Sequence, residues 1–305
     1  MRSVAPPDSV EPESVVTIGT FDGIHLGHRA LLQCARLRAL TSRQISIAYT
    51  FEKPPQNYLG TAKKLLLPPK KKLELLHDFI DQVEVVDFPG IRPLTPEEFA
   101  SEILVQRLHA KAVVIGGDFL FGVNRQGNSL VLKSLGERMG FDVVVVDPVK
   151  MDGEVVSSTA IRNALSAGDV ERATRFLGEA PRLWGTVIRG EGQAALLGFP
   201  TANLALDPEV LIPSHGIYVV QVSFDGKSRL GALYVGNRPT FGGQSTSVEV
   251  HLLDEINLDL FGREIELKLF HRVRQDIFFE RVERLQAQIR ADIEAIRIYF
   301  SNKQT

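Results

Sequence analysis

The chain has 305 residues, 44% of them hydrophobic and 24% charged, with a formal net charge of -2. That length suggests two domains, and that composition excludes a disordered chain. A nearly neutral protein has no general basic field for nucleic acid or an anionic membrane, so any anionic ligand must be held by local geometry.

The opening stretch "MRSVAPPDSVEPESVV" has prolines and acids where a signal peptide would have an apolar core. No apolar run reaches the roughly 18 residues a membrane span needs. The lone cysteine, Cys34, excludes an internal disulfide framework and reads as a small core residue. A cytoplasmic setting with no membrane and no nucleic acid among the partners is therefore expected. No feature of the pattern specifies an oligomer.

Short β-branched runs at Val15–Thr20, Ile45–Phe51, Gln82–Phe88, Ala112–Gly116 and Val143–Val149 alternate with helical patterns. Those patterns span Arg29–Leu40, Pro69–Phe79, Pro96–Leu108 and Ser129–Met139. Thr95 stands at the N-cap position, Pro96 opens the helix and Glu98 completes a capping box. Strand–helix alternation with continuous apolar strands predicts an α/β domain with a doubly wound parallel sheet. A helical pair follows in "SSTAIRNALSAGDVERATRFLG", broken at Gly168-Asp169.

After "EAPRLWGTV" only strands are predicted: Trp184–Arg189, Ile217–Phe224, Leu230–Val235, Ser247–Leu253 and Glu264–Phe270. Consecutive strands of this kind predict an antiparallel barrel or sandwich. The last element is a long helix, with Phe278, Val282, Leu285, Ile289, Ile293, Ile296 and Phe300 as the stripe that should lie on the barrel. The domain boundary is expected near Pro181, giving domains 1–181 and 182–305.

The candidate chemistry of the first half begins at "GTFDGIHLGH". A strand ends in Gly19, Phe21-Asp22-Gly23 turns the chain, and a helix starts near Leu26-Gly27. His25 and His28 then share one face of its first turn. Zinc would need further ligands at a spacing the chain lacks, and two plain surface histidines would need no such setting. Free N–H groups at a helix start, beside a glycine turn at the carboxyl end of a parallel strand, favour a phosphate site. "VVSSTAIRNAL" offers a second hydroxyl-rich helix start, with Ser158 and Thr159 followed by Arg162, which suits phosphate or serves as a plain N-cap.

In the second half, Gly190, Gly192 and Gly198 precede "FPTANLAL". Such a loop can present N–H groups to phosphates, or simply join two strands. Thr201 and Asn203 alternate along an extended segment, so their oxygens share a face and suit a hard cation. Glu249 stands between Val248 and Val250 in a strand, where an inward carboxylate could act as a general base and an outward one would be solvated. "GKS" at Gly226–Ser228 lacks the upstream glycine of a Walker motif and reads as a hairpin turn.

Together these segments resemble a known family. "GTFDGIHLGH" resembles the HxGH signature of the nucleotidyltransferases, and "VVSSTAIR" their ISSTxIR signature. "VVIGGDFLFG" is similar to a segment that borders the flavin and nucleotide site in the bifunctional riboflavin kinase/FAD synthetases. "GFPTANL", "GNRPTF" and "VEVHLLD" resemble the riboflavin kinase domain, in order, and the likeness spans about residues 15 to 300.

The resemblance implies an HxGH-type N-terminal domain and a riboflavin kinase-like barrel with a C-terminal helix. It implies phosphorylation of riboflavin to FMN, then adenylylation of FMN to FAD, with ATP as donor and Mg2+ as the metal. His25 and His28 would grip triphosphate, and Asp118, Phe119, Phe121 and Gly122 would border the flavin. Thr201 and Asn203 would bind magnesium-ATP, and Glu249 would activate the ribityl hydroxyl. The chain departs from the family pattern at Lys53-Pro54 and at Ala194-Ala195, where a Gly-Arg pair is common.

Overall fold

The structure, a computed structural model, describes residues 12–190, 193–240, 243–253 and 259–302. The chain forms two compact units, one of Met1–Lys63 with Pro69–Val156 and one of Lys64–Pro68 with Ser157–Thr305.

In the first unit β1 (Ser14–Gly19), β2 (Ile45–Phe51), β3 (Gln82–Val86), β4 (Ala110–Gly116) and β5 (Asp142–Val146) form a parallel sheet in the order β3-β2-β1-β4-β5. The order reverses between β1 and β4, and the crevice beyond their carboxyl ends is where such sheets bind ligands. Val15, Val16, Val113 and Val114 are buried, as expected of central strands covered on both faces.

The capping box at Thr95 is present: Glu98 N–H donates to Thr95 Oγ1 at 3.2 Å, and Thr95 N–H to Glu98 Oε2 at 2.7 Å. Past Glu98 the element continues as a π-helix, Phe99–Arg107, a winding that apolar spacing does not signal. A small hairpin of β6 (Lys150–Met151) and β7 (Glu154–Val155), beyond the predicted strands, turns at Asp152-Gly153 with both residues at positive φ.

In the second unit the strands close into a barrel, in the order β10-β11-β12-β9-β8-β13. These are β8 (Arg182–Ile188), β9 (Ala202–Leu206), β10 (Gly216–Phe224), β11 (Lys227–Thr240), β12 (Gly243–Leu252) and β13 (Glu264–Gln275). Their interior is packed with Tyr218, Val220, Leu233, Val248, Val250 and Leu267, so it is a core and not a channel. Leu65 and Val170 join the same core, and Leu65 forms a backbone bridge with Val210. The pair of helices, Ser158–Ala167 and Val170–Leu177, breaks at Gly168 as its sequence predicts.

The final helix, Val282–Ser301, lies on the barrel exterior through Ile296, Ile293 and Phe300, packed with Val219 and Leu253. Phe278 is a correction to the stripe: it precedes the helix and is 89% exposed. Arg281 is extended (φ -130°, ψ 136°), so helical spacing stops before reaching Phe278. The buried Asp292 carboxylate on this helix is gripped by Arg274, at 2.9 Å from Nε and 2.8 Å from Nη2.

Candidate active sites

β1 ends at the switch point, and the loop after it is backbone-strained. Phe21 and Ile24 hold φ at 52° and 43°, a region that costs non-glycine residues roughly 1–3 kcal/mol each. Phe21, Asp22, Ile24 and His25 are buried, so packing pins the loop in this shape. Gly19 lies beneath the Phe21 ring, and Gly23 takes φ 88° at the turn.

The helix Leu26–Ser42 starts at His25, which supplies the N-cap itself. His28 N–H donates to His25 Nδ1 at 3.2 Å, which leaves Nε2 as the donor nitrogen of a neutral ring. The two imidazoles stack with centroids 3.6 Å apart and planes 16° apart, and Phe21 meets His28 edge-on at 5.4 Å. Gly27 allows this stacking, because a Cβ there would lie 3.2 Å from the His25 ring. Both histidines thus stand at the positive end of a helix, held in place by an aromatic ring, where the helix dipole favours negative charge.

β4 delivers the second loop to the same switch point. Asp118 is exposed and Phe119 half-buried, while Phe121 belongs to the sheet's core. Phe119 stacks on Phe121 at 5.4 Å and 14°, so Phe121 supports the ring nearer the surface. Gly122 has φ 72° and packs on Pro96, where no Cβ fits.

Sequence reasoning missed Lys72, on the helix Pro69–Leu76. It is only 2% exposed, and its Nζ donates to the carbonyls of Thr20 and Glu52 at 3.1 Å each and to that of Phe51. Burial pushes its pKa down to about 8, against the pull of the Asp22 and Glu52 carboxylates.

Ser158, Thr159 and Arg162 fall in the second compact unit. Ser157 is the N-cap, its Oγ accepting from Ala160 N–H at 3.2 Å, and Arg162 Nε donates to Lys64 O at 2.7 Å.

On the barrel, Val248 and Val250 fill the interior, so Glu249 stands on the outer face of β12. It is neither inward nor freely solvated. Thr201 Oγ1 donates to its Oε2 at 2.8 Å, and Ser247 Oγ to its Oε1 at 2.9 Å. Ser247, two residues away on the same face, is a partner the sequence did not single out. Asn203 is the cross-strand neighbour of Glu249 and is buried. Gly190 makes room for it, since a Cβ there would come within 1.9 Å of Asn203 Nδ2. Gly198 has φ 89° just before Phe199, and Gly192 lies outside the described residues. Thr201, Asn203 and Glu249 therefore form one oxygen-rich cluster, of the kind a hard cation and an alcohol proton require.

A family model described as FAD synthetase matches residues 8–160, and one described as riboflavin kinase matches residues 177–300. The bifunctional riboflavin kinase/FMN adenylyltransferase of Pseudomonas fluorescens is 37% identical over 287 residues, covering 93% of this chain and 92% of its own. That of Escherichia coli (strain K12) is 36% identical over 291 residues, covering 94% and 92%. Among solved structures, a macrolide-efflux protein from Streptococcus pneumoniae matches with TM-score 0.86 and 30% identity, over 95% of both chains.

Proposed function

The chain belongs to the bifunctional riboflavin kinase/FMN adenylyltransferase family, and from that premise we propose how its residues divide the two reactions. It phosphorylates riboflavin to FMN with ATP, and adenylylates FMN to FAD with a second ATP, releasing pyrophosphate. Residues 1–181 are proposed for adenylyl transfer and residues 182–305 for the kinase step.

Kinase chemistry starts from an alcohol, which must lose a proton as it attacks the γ-phosphate. The observation that best supports Glu249 as acceptor is its clamp between the Thr201 and Ser247 hydroxyls, which fixes the carboxylate's orientation. Thr201 and Asn203 would hold magnesium together with ATP phosphates, and the ion when bound neutralises phosphate charge.

Adenylyl transfer starts from the phosphate of FMN, which is already ionised, so no strong base is needed. Positioning and charge neutralisation suffice, and His25, His28 and the helix N–H groups of residues 26 and 27 supply both. We assign Gly19, Phe21, Asp22, Gly23 and Gly27 to the shape of that phosphate loop. Ser158, Thr159 and Arg162 remain proposed phosphate contacts on the strength of the signature they match. Asp118, Phe119 and Gly122 would border the flavin, with Phe121 behind them. A cytoplasmic location is also proposed, supported by the lone cysteine.

The acceptor is tested by incubating the protein with ATP and either FMN or pantetheine phosphate, and measuring pyrophosphate release. Release with FMN alone is expected, and release with pantetheine phosphate alone would contradict the assignment.

The barrel's autonomy has its own expectation. A 182–305 fragment should fold and phosphorylate riboflavin, because it keeps most of the barrel's interior core and the final helix's packing on the barrel's outside. A 157–305 fragment also keeps Val170 and should be more stable by about 2 kcal/mol, the worth of one buried valine. At this size that is a difference of roughly 4–8 °C in melting temperature, readable by calorimetry.

A further inference from the structure

Lys72 is a buried charged group bonded to the start of the phosphate loop that the reactions above leave unused. All three of its ammonium hydrogens have acceptors, and all three acceptors are main-chain carbonyls at strand ends. Thr20 O opens the loop that leads to His25 and His28, while Phe51 O and Glu52 O end β2 and begin the neighbouring loop. Thr20 O also accepts from Thr50 Oγ1 at 3.2 Å, so the strand ends are stitched at one point. Taking an ammonium out of water costs several kcal/mol, and no carboxylate pairs with it directly among the described contacts. Apolar packing would hold a plain structural position at lower cost, whereas a charged tether sets the height and tilt of the loop backbone.

We propose that Lys72 is a positioning residue for adenylyl transfer, tying the histidine-bearing loop after β1 to the exit of β2. This rests on the adenylyltransferase reading of the first half. The tether needs its third hydrogen, so it weakens as the ammonium loses its proton, which happens as pH rises through about 8. The charges facing it from other elements are Asp22 after β1 and Glu52 after β2; on its own helix Lys71 pairs with Glu74 at 3.5 Å.

The test uses full-length protein with Lys72→Met, which keeps the aliphatic stem, and Lys72→Arg, which keeps charge and donors. Lys72→Met should lower kcat for FAD formation by roughly 10- to 100-fold, the scale of a small misplacement of reacting groups. KM for FMN should stay within about threefold, because the loss falls on the transition state. Riboflavin phosphorylation and melting temperature should match wild type. Wild-type FAD formation should decline several-fold between pH 7 and pH 9.5, Lys72→Met should be flat over that window, and Lys72→Arg should move the decline upward.

A Lys72→Met variant that keeps wild-type kcat and the same alkaline decline would overturn the proposal. So would a folded Lys72→Met protein whose loss of FAD formation is matched by an equal loss of riboflavin phosphorylation. If Lys72→Met does not fold, the wild-type profile decides: an alkaline decline in FAD formation but not in riboflavin phosphorylation supports the tether, and its absence overturns it. A wild-type protein that makes no FAD from FMN would instead overturn the family reading beneath it, and the two failures are told apart by wild-type turnover.

Discussion

His28→Ala is expected to lower FAD formation from FMN by roughly 10²- to 10³-fold, the usual loss when one preorganised donor to a developing charge is removed. His28 sits in the first turn of Leu26–Ser42, stacked on His25 and braced by Phe21, so its ring is fixed before any anion arrives. Alanine removes the donor and half of the stack but fits the helix well, so the fold should survive. Riboflavin phosphorylation should stay near wild type, because Thr201, Asn203 and Glu249 belong to the other compact unit. Both rates are measured on the same preparation with FMN or riboflavin as substrate. Parallel collapse of the two would contradict separate sites.

Glu249→Gln is expected to lower FMN formation by roughly 10²- to 10⁴-fold, the worth of general base catalysis. Glutamine keeps the size: its carbonyl can accept from one of the Thr201 and Ser247 hydroxyls and its amide can donate to the oxygen of the other, but it accepts no proton. Riboflavin binding, followed by flavin fluorescence, should change little, and FAD formation from supplied FMN should be unaffected. Turnover within a few-fold of wild type would mean that the clamped carboxylate is only a structural link between β12 and the Thr201 segment.

Much of this was legible because backbone chemistry leaves marks in short segments. A glycine turn ahead of two histidines, a Pro-Thr-Ala-Asn run and a lone glutamate between valines each name their position in the fold. Other features leave no local mark. Lys70–Lys72 is a run of three lysines, and only the folded chain shows which of them is buried. Ser247 is one polar residue among several, and its bond to Glu249 appears only once the strand is formed. Gly190 stood in a loop that suggested phosphate binding, whereas its plain steric effect is to admit Asn203. Strand alternation separated Glu249 from its valine neighbours correctly, but not which side was the interior, since that depends on barrel closure. Leu65 and Val170 join the barrel's core from far along the chain, a pairing no periodicity records.

The central claim is that one chain runs both steps in order. Its most direct test is to incubate the wild-type protein with riboflavin, ATP and magnesium and to separate the flavins by chromatography over time. The account predicts that FMN rises first and that FAD then grows at its expense, with pyrophosphate released in step with FAD. Riboflavin that stays unchanged, or FMN that accumulates as the final product even when ATP is renewed, would contradict it.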